Sequence, residues 1–225
     1  IYALDGPLAA RILEGRGIPR ELIGISGPAR FDEVWPEVRR LSGLNVDRDR
    51  ERTRVLVAPG LHDSRFVFDT ALNALKSNPR LELILKPHPK VSSGDMRRWT
   101  DLQEHGSGEA EARITIVREG SIYEWMARAD VFAATYSSTG VEALAFGLPV
   151  VLLVPNDAPD MSMFHGQDVP LLKASTVAEL REHVERLVDN PDFSREYASQ
   201  IARVLPDAFG QTDSEASRRL ALLCA

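Results

Sequence analysis

Short apolar runs alternate along this chain with longer stretches whose apolar residues recur every three or four positions. Runs at 22–26, 54–58, 81–85, 113–117, 131–135 and 150–154 have the length and aliphatic content of buried strands. Helical spacing appears at 7–14, with Leu8, Ile12 and Leu13 on one side, and at 65–76, with Phe66, Val67, Ala71, Leu72 and Leu75. Further helices are predicted at 31–41, 96–103, 122–128 and 141–146, with three more near 177–188, 193–204 and 214–223. Strand–helix alternation of this kind predicts an α/β fold with a Rossmann-like, doubly wound parallel sheet, followed by a helical C-terminal segment. The most polar stretch, Asn-Val-Asp-Arg-Asp-Arg-Glu-Arg-Thr at 45–53, reads as a solvated connection. The expected division is 1–44, then a domain at 45–205, then a terminal helix within 206–225 that docks on the domain edge or on the N-terminal half. The 106–111 loop is polar, and the 155–168 stretch is long and irregular enough to suggest function.

The most informative segment is 129–154. Its first apolar run breaks at Tyr136-Ser137-Ser138-Thr139-Gly140, a short apolar helix follows, Gly147 closes it, and Leu148-Pro149 leads into the next run. This is a βαβ unit with its loop at the carboxyl end of a strand, the edge on which open α/β sheets bind ligands. The loop also opens a helix, whose N–H groups and positive dipole end suit an anion. A phosphate-binding turn built from Ser137, Ser138, Thr139 and Gly140 is the functional reading. Helix capping by Ser137, Ser138 or Thr139 is the structural one, and Thr139 and Glu142 also have capping-box spacing. The two are compatible for the serines, because a ligand can replace a cap. Glu142 either holds a ribose or sugar hydroxyl or closes the box. Gly140 permits close approach of a ligand or close helix packing.

A second signal is Lys86-Pro87-His88-Pro89, directly after a predicted strand. Each proline fixes its own φ and restricts the residue before it, which makes the loop stiff. A stiff loop on the same edge as Ser137 and Ser138 can hold the His88 imidazole against a phosphate oxygen as a leaving group departs, with Lys86 adding positive charge. The loop at 59–64 ends on this edge too, so Gly60, His62 and Ser64 are further candidates. His165 and Asp168 read as loop residues, and His105 and His183 as surface residues.

Composition narrows the picture further. A formal charge of −6 over 225 residues and a pI near 5.5 argue against nucleic acid or an anionic membrane as the main partner. The only cysteine, Cys224, supports neither an intrachain disulfide nor a cysteine-based metal site. No metal-ligand spacing is visible, and Gly-x-Gly-x-x-Gly, the P-loop motif and Gly-x-Ser-x-Gly are all absent from the sequence. No bound metal and no cofactor are therefore expected. With no signal peptide or membrane-length apolar run in view, a cytoplasmic location is expected, with peripheral contact at the inner membrane face as an option. The chain opens at Ile1, so a preceding segment is expected.

Together, Lys86-Pro87-His88-Pro89 and the Ala129-Asp130 … Tyr136-Ser137-Ser138-Thr139-Gly140-Val141-Glu142-Ala143 … Gly147-Leu148-Pro149-Val150 stretch resemble the donor-binding, C-terminal half of a GT-B glycosyltransferase. Within that fold it more closely resembles bacterial enzymes of capsule, teichoic-acid and surface-polysaccharide synthesis, including CDP-glycerol glycerophosphotransferase-like proteins and CMP-sugar transferases with His-Pro and Ser-Ser motifs. It covers roughly 54–154 well and the rest in outline. It implies that His88, Ser137 and Ser138 bind the donor phosphate, that Glu142 meets donor hydroxyls, and that activity needs no nucleotide-bound metal. It also implies that 1–31 ends an amino-terminal half that supplies acceptor contacts and usually the catalytic base. The implied function is transfer of a sugar or alcohol phosphate from a nucleotide-activated donor, CMP or CDP type favoured, to a glycan or lipid-linked acceptor. The alternatives are a UDP-sugar 2-epimerase-like enzyme of the same fold and a non-catalytic module that binds nucleotide sugars or docks a partner.

Overall fold

A computed structural model describes residues 1–42, 51–60, 64–105, 112–155 and 171–225. Its strands are β1 (Tyr2–Leu4), β2 (Ile23–Ile25), β3 (Thr53–Val57), β4 (Leu81–Leu85), β5 (Arg113–Ile116), β6 (Val131–Ala134), β7 (Val150–Leu153) and β8 (Leu172–Ala174). Its helices are α1 (Pro7–Gly15), α2 (Val34–Ser42), α3 (Ser64–Leu75), α4 (Ser93–His105), α5 (Ile122–Met126), α6 (Ser138–Ala145), α7 (Val177–Asp189), α8 (Pro191–Phe209) and α9 (Ala216–Cys224). These elements form two compact units, one of Ile1–Leu44 with Ser199–Ala225 and one of Asn45–Ala198. The division falls inside α8.

In the first unit, β1 and β2 pair in parallel, Tyr2 opposite Ile23 and Leu4 opposite Ile25. Its core is an aromatic triangle in which the Phe31, Trp35 and Phe209 ring centroids lie 5.3–5.9 Å apart, close enough for edge-to-face attraction. A side chain at Gly6 would put a Cβ 2.4 Å from the Ala208 carbonyl oxygen, so only glycine lets the last turns of α8 lie there. The Asp32 carboxylate caps α9 from far along the chain, accepting from the Ala216 N–H at 2.9 Å and the Ser217 N–H at 2.7 Å. Arg219 donates from Nε to the Ser26 carbonyl at 2.7 Å and pairs with Asp213.

The second unit is built on a six-stranded, all-parallel sheet in the order β5-β4-β3-β6-β7-β8. Parallel strands are covered on both faces, which is why β6 and β7 read as unbroken apolar runs and are buried throughout. The chain winds outward from β3 to β5 and then restarts at β6 on the other side of β3. Strand order therefore reverses between β3 and β6, the place where doubly wound sheets open a ligand crevice. The α/β, Rossmann-like class expected from the sequence is the fold observed, and helices occupy the C-terminal segment.

Several elements depart from expectation. Helix α6 starts at Ser138, not 141, because the small polar residues form its first turn. The helix expected at 193–204 continues through Pro206 to Phe209. β1 (Tyr-Ala-Leu) and β8 (Leu-Lys-Ala) are three-residue strands, too short to register as apolar runs. The expectations for 106–111, for most of 155–168 and for most of 45–53 lie outside the described residues.

Candidate functional site

The site is set by main-chain bonding at the carboxyl ends of three adjacent strands. Past the strand ends the ladder continues, the Ala58 N–H donating to the Ala133 carbonyl at 3.0 Å and the Lys86 N–H to the Val57 carbonyl at 2.9 Å. The loops after β6, β3 and β4 thus leave the sheet at one level and side by side. Ser137 and His88 follow strands two spacings apart, roughly 10 Å, with the β3 loop between them.

After β6, Ser137 is the N-cap of α6. Its φ and ψ of −86° and 147° are extended, and its Oγ accepts from the Thr139 N–H at 3.2 Å while lying 2.7 Å from the Thr139 hydroxyl. The Ser137 N–H donates to the Thr135 carbonyl at 2.7 Å, which tightens the turn. The Thr139–Glu142 capping box weighed as part of the structural reading is not formed as the cap. With Ser137 capping, Glu142 lies beyond the first turn, and it is buried. Ser138 is exposed at the first helical position. The far end of α6 closes in a Schellman motif, with Gly147 at φ +74°, its N–H on the Leu144 carbonyl, and the Leu148 N–H on the Ala143 carbonyl. Both ends of this eight-residue helix are therefore fixed, and its positive dipole end stands at the crevice.

After β4, His88 is half-buried and starts a turn in which its carbonyl accepts the Val91 N–H at 3.0 Å. Its Nδ1 accepts the Lys90 N–H at 3.2 Å. Lys86 turns toward the β5 side, donating from Nζ to the Glu119 carbonyl at 3.3 Å. Burial pulls its ammonium below the ordinary lysine range, with Glu124 partly offsetting the effect.

After β3, the buried Ser64 hydroxyl donates to the Gly60 carbonyl at 2.9 Å, closing the start of α3 onto the loop. A Cβ built on Gly60 would lie 3.9 Å from Thr135 Oγ1, so the β3 and β6 loops face each other across the reversal point. His62 lies outside the described residues. The structure therefore brings Gly60, His88, Ser137, Ser138, Thr139 and Gly140 to one edge. His183 is placed apart from it, with Nε2 on the Lys173 carbonyl at 2.9 Å. Sequence reasoning passed over the Lys90 amide, a main-chain group with no side-chain signal. A separate cavity of about 400 Å³, lined by Arg52, Thr53, Asp130, Val131 and Arg195 among others, opens at the amino ends of β3 and β6. It lies on the opposite edge from the candidate site.

Residues 63–154 match the family described as capsule polysaccharide biosynthesis protein. Among solved structures, the chain is similar to the UDP-GlcNAc 2-epimerase of Neisseria meningitidis bound to UDP-GlcNAc, with a TM-score of 0.60 and 12% identity over 98% of this chain and 59% of that one. It is also similar to the wall teichoic acid polymerase TagF soaked with CDPG, with a TM-score of 0.55 and 15% identity over 99% and 55%. HepE of Anabaena in complex with UDP and glucose gives a TM-score of 0.56 and 15% identity over 97% and 62%. The chain thus spans little more than half the length of these structures. No curated protein matches it in sequence. At these identities the likeness establishes the fold alone, the GT-B fold that the sequence resemblance implied.

Proposed function

We propose that the second unit binds the nucleotide-activated donor of a surface-glycan transferase, of CMP or CDP type, and that the complete protein transfers the donor's sugar or alcohol phosphate to a glycan or lipid-linked acceptor. The observation that carries this reading is the convergence of three loops at the strand-order reversal, bearing His88 on one side and the capped N-terminus of α6 on the other. The family match spans both motifs, and the teichoic acid polymerase was soaked with CDP-glycerol, which supports the cytidine preference.

In the proposed reaction the bond between the transferred group and the nucleotide phosphate breaks, and a bond to an acceptor hydroxyl oxygen forms. The acceptor proton passes to a base on the acceptor side, and the bonding electrons leave with the nucleotide. His88, the amides around Ser137 to Gly140 and the α6 dipole face that growing negative charge, which is preorganised electrostatic stabilisation requiring no nucleotide-bound metal. Glu142 is assigned to the ribose or sugar hydroxyls. The reaction would run in the cytoplasm of a bacterium, at the inner membrane face where a lipid-linked acceptor is reached; among the described residues no helix is long and apolar enough to cross a membrane.

Calorimetry with CMP, CDP, UDP, GDP and ADP tests the reading. Cytidine nucleotides should bind best, and His88→Ala should weaken them roughly tenfold or more, the loss of about 1.4 kcal/mol, with the unfolding midpoint unchanged. Binding of every nucleotide unaffected by His88→Ala would refute the assignment. The likeness to a UDP-GlcNAc 2-epimerase favours one second reading. Preferential UDP binding, with an epimerised sugar formed by the full-length protein without acceptor, would select it.

A further inference from the structure

We infer that the main-chain amide of Lys90 is a positioning group that sets the His88 imidazole as a neutral donor through Nε2–H, directed at a phosphate oxygen of the bound nucleotide. The inference rests on the donor-site reading for its ligand, but its central claim, which ring nitrogen carries the proton, concerns this chain alone.

The argument begins with hydrogen-bond chemistry. A backbone N–H only donates, so the ring nitrogen that meets it must offer a lone pair. The Lys90 N–H reaches Nδ1 at 3.2 Å. The proton of the neutral ring is then on Nε2, and Nε2–H is the donor left for a ligand. The loop is built to hold this arrangement. Pro89 occupies the second position of the His88-Pro89-Lys90-Val91 turn, where its fixed φ is favoured. The turn is closed by the Val91 N–H on the His88 carbonyl at 3.0 Å, and Pro87 restrains the approach from β4. The Lys90 amide is thus delivered to the ring by the same backbone that carries the ring.

Function follows from which nitrogen donates. A phosphate oxygen is an acceptor, so an Nε2–H imidazole complements it, whereas an Nε2 lone pair would oppose it. In this role His88 stabilises the leaving phosphate by donation and does not remove the acceptor proton, which leaves that task to another residue. Lys90 acts through its amide, so its side chain is dispensable.

Two measurements test the proposal. Long-range proton–nitrogen correlation on the 15N-labelled chain reads the His88 tautomer without any ligand, at a pH where the ring is neutral. The expected result is the Nε2–H form, retained in Lys90→Ala. An Nδ1–H ring, or an even mixture, overturns the proposal. The second measurement uses isosteres with CDP and CMP as probes. In His88→Asn the amide can still accept the Lys90 N–H but has no group at the Nε2 position. In His88→Gln an N–H donor reaches close to that position. Gln should hold CDP within about threefold to fivefold of wild type, and Asn should lose tenfold or more. Equal loss in both, or wild-type affinity in Asn, overturns the donor role. If wild type itself binds no nucleotide, the donor-site reading fails, while the tautomer measurement still decides the positioning claim.

Discussion

At the residue scale, Gly140 separates packing from ligand binding. It lies in the first turn of α6 and is not in the left-handed region. A Cβ there would meet Leu152 Cδ2 at 3.7 Å and the Thr135 carbonyl oxygen at 3.9 Å, both ordinary contacts. Neither backbone strain nor crowding inside the chain accounts for a glycine that weakens a helix by roughly 0.5–1 kcal/mol relative to alanine. Under the proposed donor-site reading, close approach of a ligand to the α6 N-terminus would account for it. Gly140→Ala should therefore leave the chain as stable or more stable in urea, by up to about 1 kcal/mol, and weaken CDP binding. An affinity equal to wild type would show that the glycine serves no ligand. The sequence made these residues legible because Ser-Ser-Thr-Gly and Lys-Pro-His-Pro are chemically unusual at strand ends. It left open which of Ser137, Ser138 and Thr139 caps the helix, and the structure selects Ser137. All three positions fit a polar first turn, and only the observed chain direction into α6 selects one.

At the scale of elements, stability rests on a few polar groups that fix helix ends. Thr176 and Glu179 form a reciprocal capping box on α7, the Glu179 N–H donating to Thr176 Oγ1 at 3.2 Å while the carboxylate takes the Thr176 N–H at 3.1 Å. Thr176→Ala should lower the stability of the second unit by about 1 kcal/mol, read from the urea midpoint. In the first unit, burial pushes the Asp32 carboxyl upward but the Ser217 and Ala216 hydrogen bonds outweigh it, leaving its pKa below the ordinary 3.8. The Arg219 hydrogen bond lowers Asp213, and the Arg11 hydrogen bond lowers Asp207. A carboxylate depressed on folding binds fewer protons folded than unfolded, so its stabilisation is full above its unfolded pKa and lost as pH falls through the folded value. Amide exchange in α9 should thus be slow at pH 5 to 7, after correction for intrinsic rates, and accelerate below about pH 4. Asp32→Asn should flatten that dependence; an α9 indifferent to acid down to pH 3 would contradict it. The sheet itself was largely legible because β3, β4, β6 and β7 are largely buried apolar runs, while β5, with Ile114 alone buried, shows through its alternating isoleucines. β8 escaped notice because Leu172–Ala174 is a three-residue edge strand with Lys173 exposed at its middle, and an edge needs no apolar run.

At the scale of the whole molecule, the two units have separate cores, while every candidate ligand group described belongs to the second. The first unit depends on one interlocked cluster, in which the fully buried Phe209 packs against both Phe31 and Trp35. Phe209→Ala removes a ring from both contacts and leaves a cavity, a change that typically costs about 3–5 kcal/mol. That is a large share of what so small a core can supply. Tyr197 is within α8 but belongs to the second unit. Its hydroxyl donates to the Val150 carbonyl at 2.9 Å, and burial pushes its pKa up to about 12. The second unit therefore keeps its own anchor on the helix when the Phe209 end is lost. In Phe209→Ala, hydrogen exchange should rise throughout 1–42 and 205–225, while β3, β4, β6 and β7 stay protected. CDP affinity should remain within about threefold of wild type. Loss of protection in both units at once, together with loss of binding, would mean that they fold as a single cooperative body, and the donor site would then depend on the aromatic cluster as much as on the sheet that carries it.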